Sequence, residues 1–471
     1  MRKRNSEYRL HPAAAVLFAK RQILLLMIPI LRALFSFFVL GRFPVSIWMD
    51  IIALGALCLF GILRYRSKKY QIQAEGISIR KGVLCKSSGF IPYGAIVMMR
   101  CQKPLWLAIM RCGILQLYAS GEKAVCSMPV FLADAAMLLK AYRQKQGTCD
   151  AAACHVGAKG KDILFFSLIS SRVIGGILSI SAAAALLYDL IGTDLLGMLK
   201  ANFRRIYYAL LPVVYRIPPF IGWMAYLMLL GVIISFVVHL FSHLRFTASR
   251  EGKLLRTQCG LPQRVVSQFA ADTIGYIEWQ QSFLLYLAQK ATVSVICGKR
   301  GILLLTADCK RIGAQLSLLL PEYPVSGPML RPKYLRRFYL PIVWWSLAAL
   351  SLICCIAFLL PAWRETATVT GWFVMALLMW RLCTQLYAYK HTGLGINAGV
   401  LTLRYTAGGK FYTVLIAKEK ILRTEIKQSL WQKRLGICDL TVYPRYGSRR
   451  KIRLKNLSYL SLTEILHEIQ Q

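Results

Sequence analysis

Two kinds of hydrophobic pattern alternate along the chain: long apolar runs, and shorter stretches in which apolar and polar residues alternate. About 20 apolar residues are enough to span the hydrocarbon core of a bilayer, so each long run predicts a transmembrane helix. The runs come in pairs, which predicts three helical hairpins. They lie at about 22–41, 46–63, 163–191, 220–242, 338–360 and 368–388.

After each pair of runs, the pattern becomes that of a small β-rich domain. In the first such stretch Ile77 and Ile79 alternate with polar residues, which is typical of a half-buried strand. Further on, Ala135, Leu138 and Tyr142 have the spacing of one helix face. The pattern therefore predicts several strands followed by a terminal helix.

One stretch of these domains occurs in three versions, which predicts a repeat protein. Each version opens on a segment of six residues that has an apolar residue at both ends, and it ends where a strand is predicted to begin. The versions run from Ile91–Ile96 to Gly113-Ile114, from Phe269–Ile274 to Gln289-Lys290, and from Ile416–Ile421 to Gly436-Ile437.

These patterns together give a predicted domain organisation. A polar N-terminal segment precedes the first hairpin, and the second hairpin includes a longer external loop. The predicted boundaries are an N-terminal segment at 1–21, hairpins at 22–63, 163–244 and 338–388, β-rich domains at 64–143, 245–323 and 389–471, and linkers at 144–162 and 324–337.

Charge predicts the orientation of the hairpins. The chain has 60 Lys and Arg against 20 Asp and Glu, a formal net charge of +40. Such an excess suggests nucleic acid, anionic lipid or an acidic protein as partner, but the basic cytoplasmic segments of a membrane protein explain it better. Loops 41–46 and 361–367 each hold one basic residue. We therefore expect a multi-pass protein of a bacterial inner membrane, with its N-terminus and all three domains in the cytoplasm.

The sequence contains no recognisable catalytic or metal-binding motif. Its 14 cysteines include no CxxC pair, so we expect reduced, buried thiols. His239 and His243 are four residues apart without a nearby third ligand, and acidic residues are too sparse for paired acid–base catalysis. The sequence therefore predicts a protein that is not an enzyme and has no cofactor and no metal.

Charged residues inside the apolar runs leave an alternative open. In a transporter or channel component built from six helices, such charges would form an ion path, because they are costly within a bilayer. We favour the interpretation that they extend to the membrane interface or face other helices. The residues are Arg32, Arg172, Asp189 and Arg381.

Basic residues next to the membrane are the candidate lipid- or partner-binding residues. Each such charge contributes about 1 kcal/mol near an anionic leaflet. Signalling of membrane orientation explains the same residues equally well. The first cluster is Arg64, Arg66, Lys68 and Lys69, and the second is Arg331, Lys333, Arg336 and Arg337.

Several residues of the first unit together resemble a known family. They are Leu10-His11-Pro12, Ile91-Pro92, Ile96, Gln102, Pro104, Leu105 and Gly113-Ile114. With the alternation of hairpins and domains, they resemble the YdbS/YdbT bacterial membrane proteins with pleckstrin-homology-like (PH-like) domains, in particular the larger, triplicated YdbT-type members. The resemblance implies three repeats of two transmembrane helices and a PH-like domain. Each domain would be a bent antiparallel sheet or partial barrel with a C-terminal helix.

The resemblance implies no reaction and no defined ligand. Its members are associated with tolerance of membrane stress and of antimicrobial peptides, and with a smaller one-hairpin PH-like companion protein. We therefore expect a non-enzymatic scaffold whose domains interact with partners, with each other or with anionic lipid headgroups at the membrane surface. Homo-oligomers are also expected, and nucleic acid is not. The six-helix transporter or channel component is the alternative.

Overall fold

The computed structural model describes a defined part of the chain. Scattered positions between 52 and 63 and residue 201 are included. The predicted first hairpin, the predicted third transmembrane helix beyond residue 170 and the long loop 192–219 otherwise lie outside the described residues. The described ranges are 8–14, 17, 65–73, 75–82, 86–119, 124–145, 154–170, 219–261, 264–297, 299–325, 327, 330–359, 364–445 and 451–470.

Three parts of the chain have the same order of elements, and we name them the first (69–145), middle (247–319) and last (393–470) segments. Each has three strands, a 3₁₀ turn, a strand, a short helix, two strands and a terminal helix. An isoleucine follows each 3₁₀ turn; two of the three, Ile96 and Ile274, are buried. Ile96, one of the residues that carry the family resemblance, therefore lies in the core of the first segment.

The strands of the first segment are β2 (Lys69–Ile72), β3 (Gly76–Lys81), β4 (Ser87–Pro92), β5 (Met98–Lys103), β6 (Cys112–Tyr118) and β7 (Cys126–Phe131). Those of the middle segment are β9 (Thr247–Glu251), β10 (Leu254–Cys259), β11 (Arg264–Ala270), β12 (Tyr276–Ser282), β13 (Lys290–Cys297) and β14 (Lys299–Asp308). Those of the last segment are β15 (Gly393–Asn397), β16 (Val400–Ala407), β17 (Lys410–Ala417), β18 (Ile421–Lys427), β19 (Ile437–Pro444) and β20 (Ile452–Ser458). In most of these strands the apolar positions alternate or are continuously buried, as expected of sheets covered on one or both faces, whereas β4 and β18 contain no buried residue.

The helices within the segments are short ones after the fourth strand and longer ones at the end. The short helices are α1 (Leu105–Ile109), α5 (Phe283–Leu287) and α9 (Leu430–Arg434), and the terminal helices are α2 (Leu132–Lys145), α6 (Cys309–Leu319) and α10 (Tyr459–Gln470). Pro104, one of the residues that carry the family resemblance, is the N-cap of helix α1.

The described parts of the predicted hairpins are helical. They are α3 (Gly160–Ser170), α4 (Pro219–His243), α7 (Arg336–Leu359) and α8 (Arg364–His391). Among the described residues, one helix is long and apolar enough to cross a membrane, over Ile342–Leu359, and Leu229–His243 is a shorter apolar helix. Helices α7 and α8 pack against each other, with Gly371 facing the side chain of Ile353.

The strands do not form one sheet for each segment. The first three strands and the last three strands of a segment lie in different sheets, and two of the sheets run from one segment into the next. Two further short strands, β1 (Tyr8–Arg9) and β8 (Cys154–Gly157), complete the sheets. The four sheets have the strand orders β1-β2-β3-β4, β7-β6-β5-β11-β10-β9-β8, β14-β13-β12-β17-β16-β15 and β18-β19-β20.

We call the two strand pairings between segments the first junction (β5–β11) and the second junction (β12–β17). Both are antiparallel. The side chain of Thr273 donates to the Val97 carbonyl across the first junction, and the Lys420 ammonium donates to the Asp272 carbonyl across the second. Each segment therefore bonds to the next by a strand edge and by its 3₁₀ turn.

Hydrophobic cores are also shared between segments. The core of the middle segment includes Met98 and Tyr118 from the first segment and Val400 and Leu415 from the last. The first segment's core takes in Leu254 of the middle segment. Removing one segment would therefore expose apolar residues of its neighbour.

Two short strands lie in parts where the sequence analysis predicted only polar connections. These are β1 (Tyr8–Arg9), which pairs with β2, and β8 (Cys154–Gly157), which pairs with β9. The predicted linker 144–162 is thus partly a strand.

Candidate functional site

A basic cavity lies where the second apolar run of the sequence meets the first segment. Its volume is about 650 Å³. Five of its lining side chains are basic, three carry a hydroxyl and none is acidic. The lining residues are Leu63, Arg66, Ser67, Lys69, Arg80, Lys81, Gly82, Lys86, Ser87 and Ser88.

The strands bring part of this lining together by their register. Lys69 of β2 lies opposite Arg80 of β3, and Arg80 lies opposite Ser88 of β4. Residues directly opposite each other point to the same face of a sheet, and like charges in such pairs are unfavourable. An anion bound between Lys69 and Arg80 would offset their repulsion, so the geometry suits a phosphate or another anionic group.

The first predicted cluster only partly enters this cavity. Arg66 and Lys69 line it, whereas Arg64 lies outside the described residues. Lys68 instead lines a smaller neighbouring cavity, of about 90 Å³. Burial raises the pKa of the nearby Cys126 thiol, and the positive charges of Lys68 and Lys81 oppose that rise.

Sequence reasoning missed three basic residues of the site, Arg80, Lys81 and Lys86. They come from both sides of the β3–β4 turn rather than from the run after the apolar segment. The available signal was Arg80-Lys81-Gly82, which predicts a basic turn, with Lys86 a few residues further on. The packing of that turn against the chain after Leu63 could not be predicted from local pattern.

The second predicted cluster lies before and at the start of helix α7. Arg331 and Lys333 are exposed, and the Lys333 backbone N–H donates to the Asn456 carbonyl. Arg336 and Arg337 begin helix α7. Neither Arg331 nor Lys333 lines one of the cavities of the described residues.

A second cavity, of about 560 Å³, lies near this cluster, between helices α7 and α8 and the sheets of the last segment. Arg381, Arg453 and Lys455 contribute positive charge to it, together with the amides of Gln385 and Asn456. Arg453 also pairs with Asp439 at 2.8 Å, so part of its charge is compensated. Arg381, which the sequence analysis placed inside an apolar run, therefore lines a cavity of mixed polar and apolar surface beside the last segment.

Basic and hydroxyl groups form the polar part of the lining of both cavities, together with amides in the second. Among the described residues, no group of three or more His, Cys, Asp or Glu could hold a metal ion, and the described cysteines are free. A ring nitrogen of His243 lies 2.9 Å from the His239 carbonyl oxygen, which is a bond within helix α4. The two cavities can bind anions by charge and hydrogen bonds.

The fold and the site define a class of protein: β-rich domains that carry a basic cavity and stand next to apolar helices. The family described as "Bacterial PH domain" matches residues 23–146. This part of the chain therefore contains a PH-like domain, which confirms that part of the resemblance and indicates a lipid or surface interaction module. No curated protein and no solved structure matches the chain.

Proposed function

We propose that this protein is a non-enzymatic integral membrane scaffold of the YdbT type. Three copies of one unit, an apolar hairpin followed by a PH-like domain, place their domains on the cytoplasmic face of a bacterial inner membrane. The domains bind anionic lipid headgroups there and hold the scaffold's partners at the surface. The associations with membrane stress, antimicrobial peptides and a smaller one-hairpin companion are part of this proposal.

The exposed apolar surface of helix α7 supports insertion into a membrane. None of the stretch Ile342–Leu359 is buried within the protein. Trp344, Trp345 and Phe358 are 67%, 74% and 85% exposed. A contiguous apolar surface of this kind is unfavourable in water and is expected to be covered by lipid or by a partner.

The strand pairings beside the apolar helices support an even number of crossings in each unit. Tyr8 of β1 lies opposite Tyr70 of β2, one on each side of the first predicted hairpin. Strands β8 and β9 pair in the same way around the second hairpin, as do Leu330 and Leu394 around the third. Because the chain returns to its departure point each time, all three domains lie on one face in this proposal.

The basic cavity of the first segment is the observation that carries the proposed lipid binding. Leu63 is at the end of an apolar run, so the cavity would lie at the depth of the headgroups. The cavity of the last segment has a similar position, because it lies beside helices α7 and α8. Arg381 and Lys455 line it. Basic residues at this depth attract anionic lipids at about 1 kcal/mol each.

Lipid titration of the purified full-length protein tests this proposal. The double variant Arg80→Gln/Lys86→Gln removes two charges from the cavity. Its matched control, Lys310→Gln/Lys433→Gln, removes two exposed charges that line none of the described cavities. At about fivefold for each lost charge, the cavity variant should bind phosphatidylglycerol about 25-fold more weakly, and the control variant should bind it as the wild type does.

Thermal stabilisation by phosphatidylglycerol, with phosphatidylcholine as the neutral lipid, gives the affinities. An inorganic phosphate titration separates a headgroup site from a site for free phosphate. Equal stabilisation of the wild type and both variants by phosphatidylglycerol would contradict lipid binding in this cavity. If the two double variants weakened phosphatidylglycerol binding equally, that binding would come from general surface charge rather than from this cavity.

A further inference from the structure

The four sheets have eight edge strands in the described part of the chain, and two of them, β4 and β18, correspond to strands that form the junctions. Strand β4 is the last strand of its sheet and pairs only with β3, and β18 is the first strand of its sheet and pairs only with β19. Their counterparts in the other segments are not free. Strands β11 and β17 correspond to β4, and strands β5 and β12 correspond to β18, and these four form the two junctions.

The correspondence between segments can be made residue by residue. From the isoleucine after the 3₁₀ turn to the N-cap of the short helix, the three segments have the same length without insertion. The intervals are Ile96 to Pro104, Ile274 to Ser282 and Ile421 to Ser429. Counting from these positions, Glu425 corresponds to Arg100 and to Glu278. Counting back from the 3₁₀ turns, Gly89 corresponds to Ser267 and to Val414.

The two junctions have the same register in these corresponding positions. Ser267 lies opposite Arg100 at the first junction, and Val414 lies opposite Glu278 at the second. The neighbouring pairs also correspond along both junctions. The structure therefore uses one mode of edge pairing twice, and each use joins a β4-type edge to a β18-type edge.

We propose that the same pairing joins copies of this chain: β18 of one copy pairs antiparallel with β4 of a second copy. The register of the two junctions places Glu425 opposite Gly89, Ile426 opposite Ser88 and Thr424 opposite Phe90. The partner is a second copy because each chain has one free edge of each type. Within one chain the two edges lie in separate sheets and do not meet.

The exposed residues of both edges suit this partner. Strand β4 carries no charged side chain, and its Phe90 is 49% exposed. Leu422 is 71% exposed, although its counterpart Val97 packs against the middle core at the first junction. A long, uncharged free edge is a liability that proteins normally protect, and pairing with another copy covers it.

The charges on β18 do not oppose this pairing. Charged side chains often protect edge strands, and β18 carries Arg423, Glu425 and Lys427. At the junctions, however, corresponding strands also carry charges, namely Arg100 and Glu278, and are paired. Because the interface is head-to-tail, it extends a row of copies or closes a ring.

Cross-linking in the membrane tests the register. A copy with Ser88→Cys and a differently tagged copy with Ile426→Cys should form a mixed-tag disulfide dimer on mild oxidation. The matched control combines Ser88→Cys with Leu430→Cys, whose wild-type leucine is 84% exposed but lies beyond β18 in helix α9. The wild type accounts for native thiols. A dimer from the first pair alone supports the proposal, and equal yields from both pairs overturn it.

A charge placed in β4 tests the energetics in the full-length protein. A Cβ at Gly89 meets no atom within 4 Å, so Gly89→Glu should leave the fold unchanged while placing a carboxylate opposite Glu425 of the next copy. Association should weaken about fivefold for each contact. Adding Glu425→Lys in the same chain should restore it. The control is Gly94→Glu. A Cβ at Gly94 also meets no atom within 4 Å, and the corresponding positions of the middle and last segments already carry an acid, Asp272 and Glu419.

Mass photometry in nanodiscs and detergent gives the association constants. Weaker association of Gly89→Glu only, with rescue, supports the proposal. Three results would overturn the proposal. The wild type could stay monomeric, the Gly89→Glu variant could associate as Gly94→Glu does, or the β4 edge could cross-link only to a smaller protein. The inference rests on the proposed threefold organisation. The charges of the basic cavity stay in place in the edge variants. If the protein is monomeric but still binds phosphatidylglycerol, the edge pairing between copies is wrong and the proposed lipid binding still holds.

Discussion

At the scale of single residues, the three segments share one position with a positive φ, and a different residue occupies it in each. The residue after the C-cap of each short helix has a positive φ: 55° at Arg111, 52° at Gln289 and 61° at Gly436. Such a conformation is costly for residues with a Cβ, by about 1–2 kcal/mol. Only the last segment relieves it with glycine.

Gly436→Ala should therefore lower the free energy of unfolding by about 1 kcal/mol. Open space surrounds the position where the new Cβ would lie, so the cost comes from φ alone. Gly313→Ala is the matched control, because it too meets no atom but lies within helix α6, where alanine is favoured by about 0.5–1 kcal/mol. Denaturant unfolding of both variants measures the two changes, and shifts of the same sign would contradict the account.

This comparison shows which residue roles the sequence could predict. The sequence analysis placed Gly436 directly before a strand, and its positive φ fits a bend of the chain into β19. Gly113 was aligned with it, but Gly113 lies inside β6, and a Cβ there would be 3.1 Å from Leu132. The true counterpart is Arg111. A repeated motif in sequence cannot distinguish a glycine needed for its φ from one needed for close packing.

At the scale of elements, local patterns predicted most strands and the terminal helices. Ile312, Leu316 and Leu319 are buried on α6 as their spacing predicted. The strands β1 and β8 were missed because they are short and polar, and are formed by pairing with β2 and β9. The two junctions were missed for the same reason: strand pairing between distant parts of the chain leaves no periodic signal.

The end of helix α8 packs into an aromatic cluster that should make stability depend on pH. His391 is buried against Tyr286 and Phe411, and its Nε2–H donates to the Tyr412 carbonyl. Burial lowers the pKa of His391 to about 4, and the charge of Arg404 adds to the decrease, whereas the bond to Tyr412 opposes it.

A folded-state pKa below the ordinary 6.5 means that the unfolded chain binds this proton first as pH falls. The neutral, buried His391 therefore contributes to the free energy of unfolding above pH 6.5. This contribution is lost as the pH falls from 6.5 to 4, to a total of about 3 kcal/mol. His391→Gln, which keeps a donor and cannot titrate, should show a smaller decrease in melting temperature over that range. Parallel curves for the variant and the wild type would contradict the low pKa.

At the scale of the whole molecule, strand pairing joins the three segments into one continuous β structure. Each junction joins the second sheet of one segment to the first sheet of the next, and the middle core is completed by Met98 and Leu415 from its two neighbours. As in other repeat proteins, stability should then depend on the interfaces between neighbours as well as on each unit. The pairings at β1–β2, β8–β9 and Leu330–Leu394 return the chain to this structure after each apolar excursion.

Thiol labelling of intact and opened cells tests most directly whether all three domains lie on the cytoplasmic face. Met137→Cys, Leu318→Cys and Leu460→Cys place one exposed thiol on the terminal helix of each segment, at wild-type exposures of 51%, 61% and 74%. Labelling is quantified peptide by peptide, so that native cysteines do not interfere. The account predicts that a membrane-impermeant maleimide labels none of the three in intact spheroplasts and all three in inverted vesicles. Labelling of any one of them in intact spheroplasts would contradict it.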